Sequence, residues 1–451
     1  MPMPTARFPD GGITVVGAGL AGSEAALVLS AAGIPVELIE MRPGVSSPAH
    51  RTGWFAELVC SNSLGSEEEQ SGKGLLKAEL RELGSNLLFL ANRARVPAGK
   101  ALAVDRDLFG KAVTDAVRSR PGIRVRELEA RTIPDAPWVI LACGPLPSDA
   151  LSFSIRALLG DEGYFFYDAI SPIVDASTID REASFFGDRY GARSGEGDYL
   201  NLPMTREQYE VFLSELLAAR GIPAREFEDE RCFESCMPLE TAARRGPATL
   251  LFGPLRPVGL ADPRTGKTPY AVVQLRKENA AGTMYNLVGF QTKLAYPEQE
   301  RVFSLIPGLS RAKFLRYGSV HRNSFLDARR HLHPWLEFRG RPGLFFAGQI
   351  TGVEGYAESI ASGFAAAVSA AAMSRGKAPP VFPEASMTGS LLRHITTPGP
   401  GGAQPMNANF GLLPEPPPGR KRERKARQSA AALCAIADFR SRFLDFNPLC
   451  P

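Results

Sequence analysis

The chain has 451 residues, 44% hydrophobic and 22% charged, with a formal net charge of +4. This is enough apolar material for two or three packed domains, and no apolar run approaches the ~20 residues of a membrane span. Residues 1–10 show no apolar core behind a basic start, so a cytoplasmic location is expected. Six cysteines (Cys60, Cys143, Cys232, Cys236, Cys434, Cys450) form no disulfide framework or C-x-x-C pair, and five histidines form no H-E-x-x-H, so no catalytic metal is expected.

Residues 13–16 are a β-branched run that Gly17 ends. Residues 23–32 read as a helix and 36–39 as a second strand, giving a βαβ unit. Inside it, Gly17-Ala18-Gly19-Leu20-Ala21-Gly22 matches G-x-G-x-x-G, after a strand and at the head of a helix. The first glycine makes the tight turn, the second admits a pyrophosphate to the backbone, and the third lets helix and strand pack. The helix N-terminus offers N–H groups to the phosphates. Glu40 closes the second strand, where a carboxylate accepts hydrogen bonds from a ribose. An acid there disfavours a 2′-phosphate, so FAD or NAD fits better than NADP.

A strand-like run at 138–142 ends in Cys143-Gly144-Pro145. From about 150 to 335 the pattern mixes strand-like runs (270–275, 285–290), turn chemistry at Asp262-Pro263-Arg264-Thr265-Gly266 and a helix over 209–219. At 344–347 a buried strand resumes, Gly348 opens a glycine-rich loop, and an alanine-rich helix runs to about Met373. The expected fold is α/β: a Rossmann-type FAD-binding domain built from residues 1–149 and 336–451, with an inserted α+β domain at 150–335. The choice of FAD comes from Gly343-Leu344-Phe345-Phe346-Ala347-Gly348-Gln349, which is similar to the second fingerprint of two-part flavoproteins. Gln349 stands where many of those carry an acid, and its amide still hydrogen-bonds a hydroxyl. Proline-rich tracts at 378–383 and 414–418 precede a final helix over 428–443. Between the second tract and that helix crowd Arg420, Lys421, Arg422, Arg424, Lys425 and Arg427, read either as a solvated surface or as a mobile or semi-mobile arm contacting phosphates.

Two cysteines stand in unusual company. Cys60 lies in Glu57-Leu58-Val59-Cys60-Ser61-Asn62-Ser63-Leu64, a small polar run, and Cys236 in Phe233-Glu234-Ser235-Cys236-Met237-Pro238, beside an acid and a chain-stopping proline. Cys143, Cys434 and Cys450 read as packing residues.

With Glu40-Met41-Arg42-Pro43, Gly74-Leu75-Leu76-Lys77, Arg95-Val96-Pro97-Ala98-Gly99, Leu251-Phe252-Gly253-Pro254, Pro257-Val258-Gly259-Leu260, His321-Arg322-Asn323 and Gly352-Val353-Glu354-Gly355-Tyr356, these segments resemble one family nearly end to end. It is the bacterial folate- and FAD-dependent tRNA (uracil-5-)-methyltransferases, TrmFO. The resemblance implies that a reduced nicotinamide, NADH or NADPH, reduces FAD. The flavin then takes the methylene of 5,10-methylenetetrahydrofolate, and a cysteine adds to C6 of the uracil at position 54 of the tRNA T-loop. Thiolate addition makes C5 nucleophilic toward the one-carbon unit, and a base removes the C5 proton. Cys236 is assigned as the uracil nucleophile and Cys60 as the flavin-side thiol; the reverse assignment stays open. The cofactor-binding set is Gly17, Ala18, Gly19, Leu20, Ala21, Gly22, Glu40, Arg42, Gly348, Gln349, Gly355 and Tyr356. Glu354, Tyr356 and His321 are further candidates for binding or proton transfer, or are structural groups. One departure is visible: Ser235 stands where the family usually has glycine or alanine.

The nearest alternative is the related flavoprotein that modifies the tRNA wobble uridine. It is expected to carry a longer helical C-terminal extension, whereas this chain ends about 100 residues past its second fingerprint. A non-catalytic RNA-binding flavoprotein would tolerate loss of both cysteines, and a small-molecule flavin oxidoreductase would not need the basic run.

Overall fold

The computed structural model describes residues 11–47, 49–160, 164–189, 197–222, 237–398, 404–416 and 420–447. In chain order the first part holds β1 (Ile13–Val16), α1 (Leu20–Ala31), β2 (Val36–Glu40), β3 (Ser63–Ser66), α2 (Gly72–Leu83), α3 (Asn86–Arg93), β4 (Arg95–Val96), β5 (Ala101–Val104), α4 (Arg106–Arg118), β6 (Ile123–Glu127), β7 (Val139–Leu141) and α5 (Asp149–Leu159). The middle holds β8 (Tyr164–Ile170), β9 (Ile173–Asp175), β10 (Phe185–Phe186), β11 (Leu200–Met204), α6 (Arg206–Ala218), α7 (Leu239–Ala243), α8 (Thr249–Phe252), β12 (Ala271–Lys277), β13 (Met284–Leu287), α9 (Tyr296–Phe303), β14 (Phe314–Arg316) and β15 (Ser319–Phe325). The last part holds α10 (Ala328–His331), β16 (Leu344–Phe346), α11 (Tyr356–Ser374), α12 (Met387–Thr396) and α13 (Lys421–Phe443).

The short β-branched and aromatic runs form a five-stranded sheet in the order β16-β7-β1-β2-β6, parallel throughout. Its strands β1, β7 and β16 are fully buried, as a sheet covered by helices on its faces requires, while the edge strand β6 is partly exposed. From β1 the order turns one way to β2 and the other way to β7. The crevice beyond the carboxyl ends of β1 and β7 is the place where such a sheet binds ligands. Helix α1 carries no polar stripe: its residues are buried from Leu20 to Leu29, because it lies between this sheet and α11. A six-stranded antiparallel sheet, β10-β11-β12-β13-β9-β14, carries the second core, with α6, α7, α8 and α9. The antiparallel ribbon β8–β15 is where the chain leaves the first core and returns to it. Leu151 and Ile155 before the ribbon, and Leu326 and Leu332 after it, belong to the first core.

Two buried glutamates hold helices in place. Glu24 accepts from Asn86 N (3.2 Å) and Leu87 N (2.9 Å) at the head of α3. Glu79 accepts from Met387 N (2.6 Å), Thr388 N (2.8 Å) and Thr388 Oγ1 (2.7 Å) at the head of α12. Each supplies the orphan donors of a helix start with an acceptor. The final helix begins at Lys421, earlier than the sequence suggests, so the basic run is its first two turns rather than a mobile arm. It docks on α2, with Lys425 Nζ donating to Gln70 O (3.2 Å) and Ser429 Oγ to Glu69 O (2.7 Å). No helix among the described residues is long and apolar enough to cross a membrane.

Burial pushes Glu24 and Glu79 up to about 7 from 4.5, against the pull of the hydrogen bonds they accept. Between those values the folded chain keeps protons that the unfolded chain has released. Their stabilisation is full below pH 4.5 and is lost as pH rises through about 7, by up to about 3 kcal/mol per group. Glu24→Gln and Glu79→Gln each remove one such proton. The parent's melting temperature is therefore expected to fall relative to either variant as pH is raised from 5 to 7.5. A constant gap in thermal melts would show that these carboxyls are ionised in the fold.

Candidate functional site

Residues at the carboxyl ends of β1, β2 and β7, joined by Gly348, Gln349 and Tyr356, line a cleft. Three glycines shape its floor, each for a different reason. Gly17 sits at φ +96°, and a Cβ there would lie 2.5 Å from Ala142 O, so β1 and β7 meet with no side chain between them. A Cβ on Gly22 would lie 1.8 Å from Gly17 O, which is the close packing of helix against strand. A Cβ on Gly19 would meet nothing within 4 Å; it would project into open space at the head of α1.

Around this floor stand Gly17, Gly19, Leu20, Ala21, Glu40, Arg42, Gly348, Gln349 and Tyr356 of the sequence-assigned set. Ala18 and Gly22 form the packed back of the loop. Gly355 caps α11 at φ +124°, with no room for a Cβ beside the Glu358 carboxylate. Glu40 also braces the loop. Its Oε2 accepts Ala18 N at 2.7 Å, and its Oε1 accepts Arg42 N and Nε at 3.0 and 2.8 Å, so it holds the glycine loop to the end of β2. Burial raises the Glu40 carboxyl, but Arg42 and the two N–H groups outweigh burial and leave it below its ordinary value, as an anion. Arg42 in turn donates to Trp54 O at 2.8 Å and pairs with Glu57 at 3.3 Å.

Some lining residues carry no signal in the sequence. His50 reaches the cleft from the loop after β2, with Nδ1 2.6 Å from Ser47 Oγ. Burial, and then the Arg42 charge, press it down to about 4, so the ring is neutral at pH 7. Cys143, read from the sequence as packing, forms part of the cleft wall after β7, and burial pushes its thiol up to about 12. Ser359, on the first turn of α11, also lines the cleft.

The Cys60 loop lies at the edge of this cleft, where Val59 joins the lining. Cys60 N and Ser61 N both donate to Tyr356 Oη, at 2.8 and 3.1 Å. Burial and the neighbouring Cys60 push the Tyr356 phenol up. Arg106 donates to Leu58 O at 2.9 Å, and Arg316 of β14 to Val59 O at 2.9 Å. Asn62 is wholly buried. Its Nδ2 donates to Val104 O (3.0 Å) and Lys277 O (2.9 Å), while its Oδ1 accepts from Arg276 Nε (2.8 Å). Beside it, Arg106 and Glu278 form an ion pair at 2.9 Å. The thiol loop is therefore gripped from the second core as well as the first. Lys77 is buried too, and donates to Leu64 O (2.9 Å), Gly65 O (3.3 Å) and Lys73 O (3.0 Å), fixing β3 just beyond the loop. Burial brings it down to about 7. Cys232 and Cys236 lie outside the described residues. His321 is placed by its backbone, opposite Asp168 in the β8–β15 ribbon. Glu354 is buried just before Gly355, with its backbone N–H on Met406 O. No group of three or more His, Cys, Asp or Glu suited to a metal ion occurs among the described residues.

Residues 12–378 match the family described as Glucose inhibited division protein A. The methylenetetrahydrofolate--tRNA-(uracil-5-)-methyltransferase TrmFO of Sulfurihydrogenibium sp. (strain YO3AOP1) is 51% identical over 429 residues, covering 95% of this chain and 97% of its own. The proteins of the same name from Desulforudis audaxviator and Rubrobacter xylanophilus are 53% and 52% identical, over 95% and 97% of this chain and 97% and 98% of theirs. The chain belongs to the TrmFO family. Among solved structures, Aquifex aeolicus GidA superposes with a TM-score of 0.72 at 17% identity, covering 97% of this chain and 76% of that one, a likeness of fold. The α/β fold with an inserted antiparallel sheet is thus common to the TrmFO chain and GidA.

The FAD that the TrmFO family uses fits the residues present. The open side of Gly19 leaves backbone accessible at a helix start, as a pyrophosphate requires, and the Glu40 carboxylate lines the same cleft. Gly19→Val is expected to keep the fold, because its backbone (φ −70°, ψ −167°) suits any residue, but to fill the cradle. It should melt like the parent without FAD and carry little flavin absorbance after incubation with FAD, whereas Gly22→Ala should lose stability itself. Flavin bound to Gly19→Val as tightly as to the parent would place the pyrophosphate elsewhere. Asn62→Ala should retain flavin but free the thiol loop, so that iodoacetamide alkylates Cys60 faster, as read by peptide mass mapping. Alkylation at the parent's rate would show that the loop holds without its amide.

Proposed function

We propose that this chain is an FAD-dependent methyltransferase that forms 5-methyluridine at position 54 of the tRNA T-loop, with 5,10-methylenetetrahydrofolate as carbon donor and NADH or NADPH as reductant. The observation that carries the reading is identity of 51–53%, across nearly the whole of both chains, to several proteins named for this reaction. The setting of Cys60 supports it: a thiol loop pinned to Tyr356 at the edge of a dinucleotide cleft suits a cysteine that works beside a flavin.

FAD, when bound, supplies the electrons that complete the methyl group. The rest falls to the chain. Gly17, Gly19 and the head of α1 would bind the pyrophosphate, and Glu40 would orient the ribose. Gln349, which lines the same cleft, would hydrogen-bond a hydroxyl of the cofactor. Cys236 acts as the uracil nucleophile: its sulfur bonds to C6, the electron pair of the C5–C6 double bond moves to C5, and C5 forms the bond to the one-carbon unit. Loss of the C5 proton to a base then expels the amine that carried the one-carbon unit and leaves a methylene on C5; with the hydride equivalent that reduced FAD would supply, this carbon becomes the methyl group, the C5–C6 double bond is restored and the thiolate leaves C6. Cys60 serves on the flavin side.

The test is direct. Incubation with FAD, NADPH, carbon-labelled methylenetetrahydrofolate and unmodified tRNA, followed by nucleoside analysis, should yield labelled 5-methyluridine. S-adenosylmethionine should donate nothing. Cys236→Ala and Cys60→Ala should each lower the yield by roughly a hundredfold or more, while tRNA binding, spread over many phosphates, persists. Label transferred from S-adenosylmethionine without flavin, or normal turnover by Cys236→Ala, would overturn the assignment.

A further inference from the structure

Phe252 is 82% exposed at the end of α8, with buried Leu250 and Leu255 on either side. The turn that carries it is held by its backbone. Leu255 N donates to Leu250 O (2.9 Å), Val272 N of β12 donates to Leu255 O (3.1 Å), and Arg189 donates to Pro254 O (2.8 Å). Gly289 and Gly259 let the turn approach closely: a Cβ on the first would lie 2.6 Å from Pro254 Cβ, and on the second 2.1 Å from Arg189 O. The ring is thus presented to solvent on a turn fixed from three sides.

The stretch of chain around it is rich in arginine. Between Leu239 and Leu260 the cations are Arg244, Arg245 and Arg256, and the first two are exposed on the turn that follows α7. The single acid in that stretch, Glu240, is buried and faces inward, accepting from Thr292 Oγ1 (2.9 Å) and Lys293 N (2.8 Å). A rigidly held aromatic face on a stretch that carries three arginines and one buried acid has the chemistry that grips unstacked nucleobases: the ring stacks on a base and the guanidinium groups meet phosphates. Cys236 precedes α7 by three residues, so the same stretch of chain would meet the same RNA.

We propose that Phe252, flanked by Arg244, Arg245 and Arg256, is a nucleobase-stacking contact for the tRNA on the inserted domain. This rests on the tRNA reading above. The test uses full-length FAD-loaded enzyme and unmodified tRNA, with Phe252→Ala, Phe252→Trp and Arg244→Ala/Arg245→Ala. Phe252→Ala should raise the KM and Kd for tRNA about tenfold while leaving kcat at saturating tRNA within twofold and the melting temperature unchanged. Phe252→Trp should restore both constants, and its extra emission over the parent should be quenched by tRNA. The arginine pair should flatten the dependence of affinity on salt, which Phe252→Ala should leave intact. If Phe252→Ala binds tRNA like the parent, the stacking contact is refuted. If in addition it changes the oligomeric state, the ring belongs to a contact between copies. In either case 5-methyluridine formation by the parent leaves the tRNA reading standing, whereas a parent that neither binds tRNA nor forms 5-methyluridine removes both.

Discussion

The crossing of α1 and α11 is the contact on which the rest of the structure depends. A Cβ on Gly363 would lie 2.2 Å from Ala21 O, and one on Gly22 would lie 1.8 Å from Gly17 O. Backbone therefore packs on backbone where the first and last parts of the chain meet. Gly348 is brought so near that a Cβ there would touch Ala21 Cβ at 3.0 Å. The cleft exists because these residues are small: a larger side chain at any of them would part the two segments and move Gln349 and Tyr356 away from the glycine loop. In a close-packed interior such gaps are not absorbed elsewhere.

A second junction sets where the thiol loop lies. Asn62 uses both ends of its amide, and Arg106 pairs with Glu278, which is 2% exposed. Removing one member of a buried ion pair strands the other charge, at a cost of about 3–5 kcal/mol. The seam is therefore stiff. Because Arg276, Lys277 and Glu278 all lie at one end of β12 or just past it, a displacement of the inserted sheet would be felt first at residues 58–62.

The sequence is most readable where the determinants are local. G-x-G-x-x-G between a strand and a helix, and an acid at the end of the next strand, depend only on neighbours along the chain, and they give the cleft's floor. The second fingerprint is local too. The opposite wall is less legible: His50 and Cys143 reach the cleft through tertiary packing, with no motif around them. Glu24, Glu79 and Lys77 look like ordinary surface charges in the sequence, yet each is buried because distant backbone groups need its acceptors or donors. The basic run looked like an arm because six cations suggest solvation, but Ser429 and the apolar residues after it dock on α2 and carry the helix back to Lys421. Asn62 stood beside Cys60 in the motif, and only the fold shows that it binds the thiol loop to β12.

The split of the dinucleotide domain also has a consequence in time. The glycine loop leaves the ribosome roughly 330 residues before Gly348. At about 5–20 residues per second, that interval is roughly 15–65 s. From the time β7 has emerged it has no β16 to cover its edge, and the face of α1 that meets α11 in the finished fold has no partner yet. An apolar helix and an unpaired strand left waiting together are what chaperones bind and what aggregation exploits. The nascent N-terminal part thus passes through a window of vulnerability during synthesis that closes only when β16 and α11 arrive.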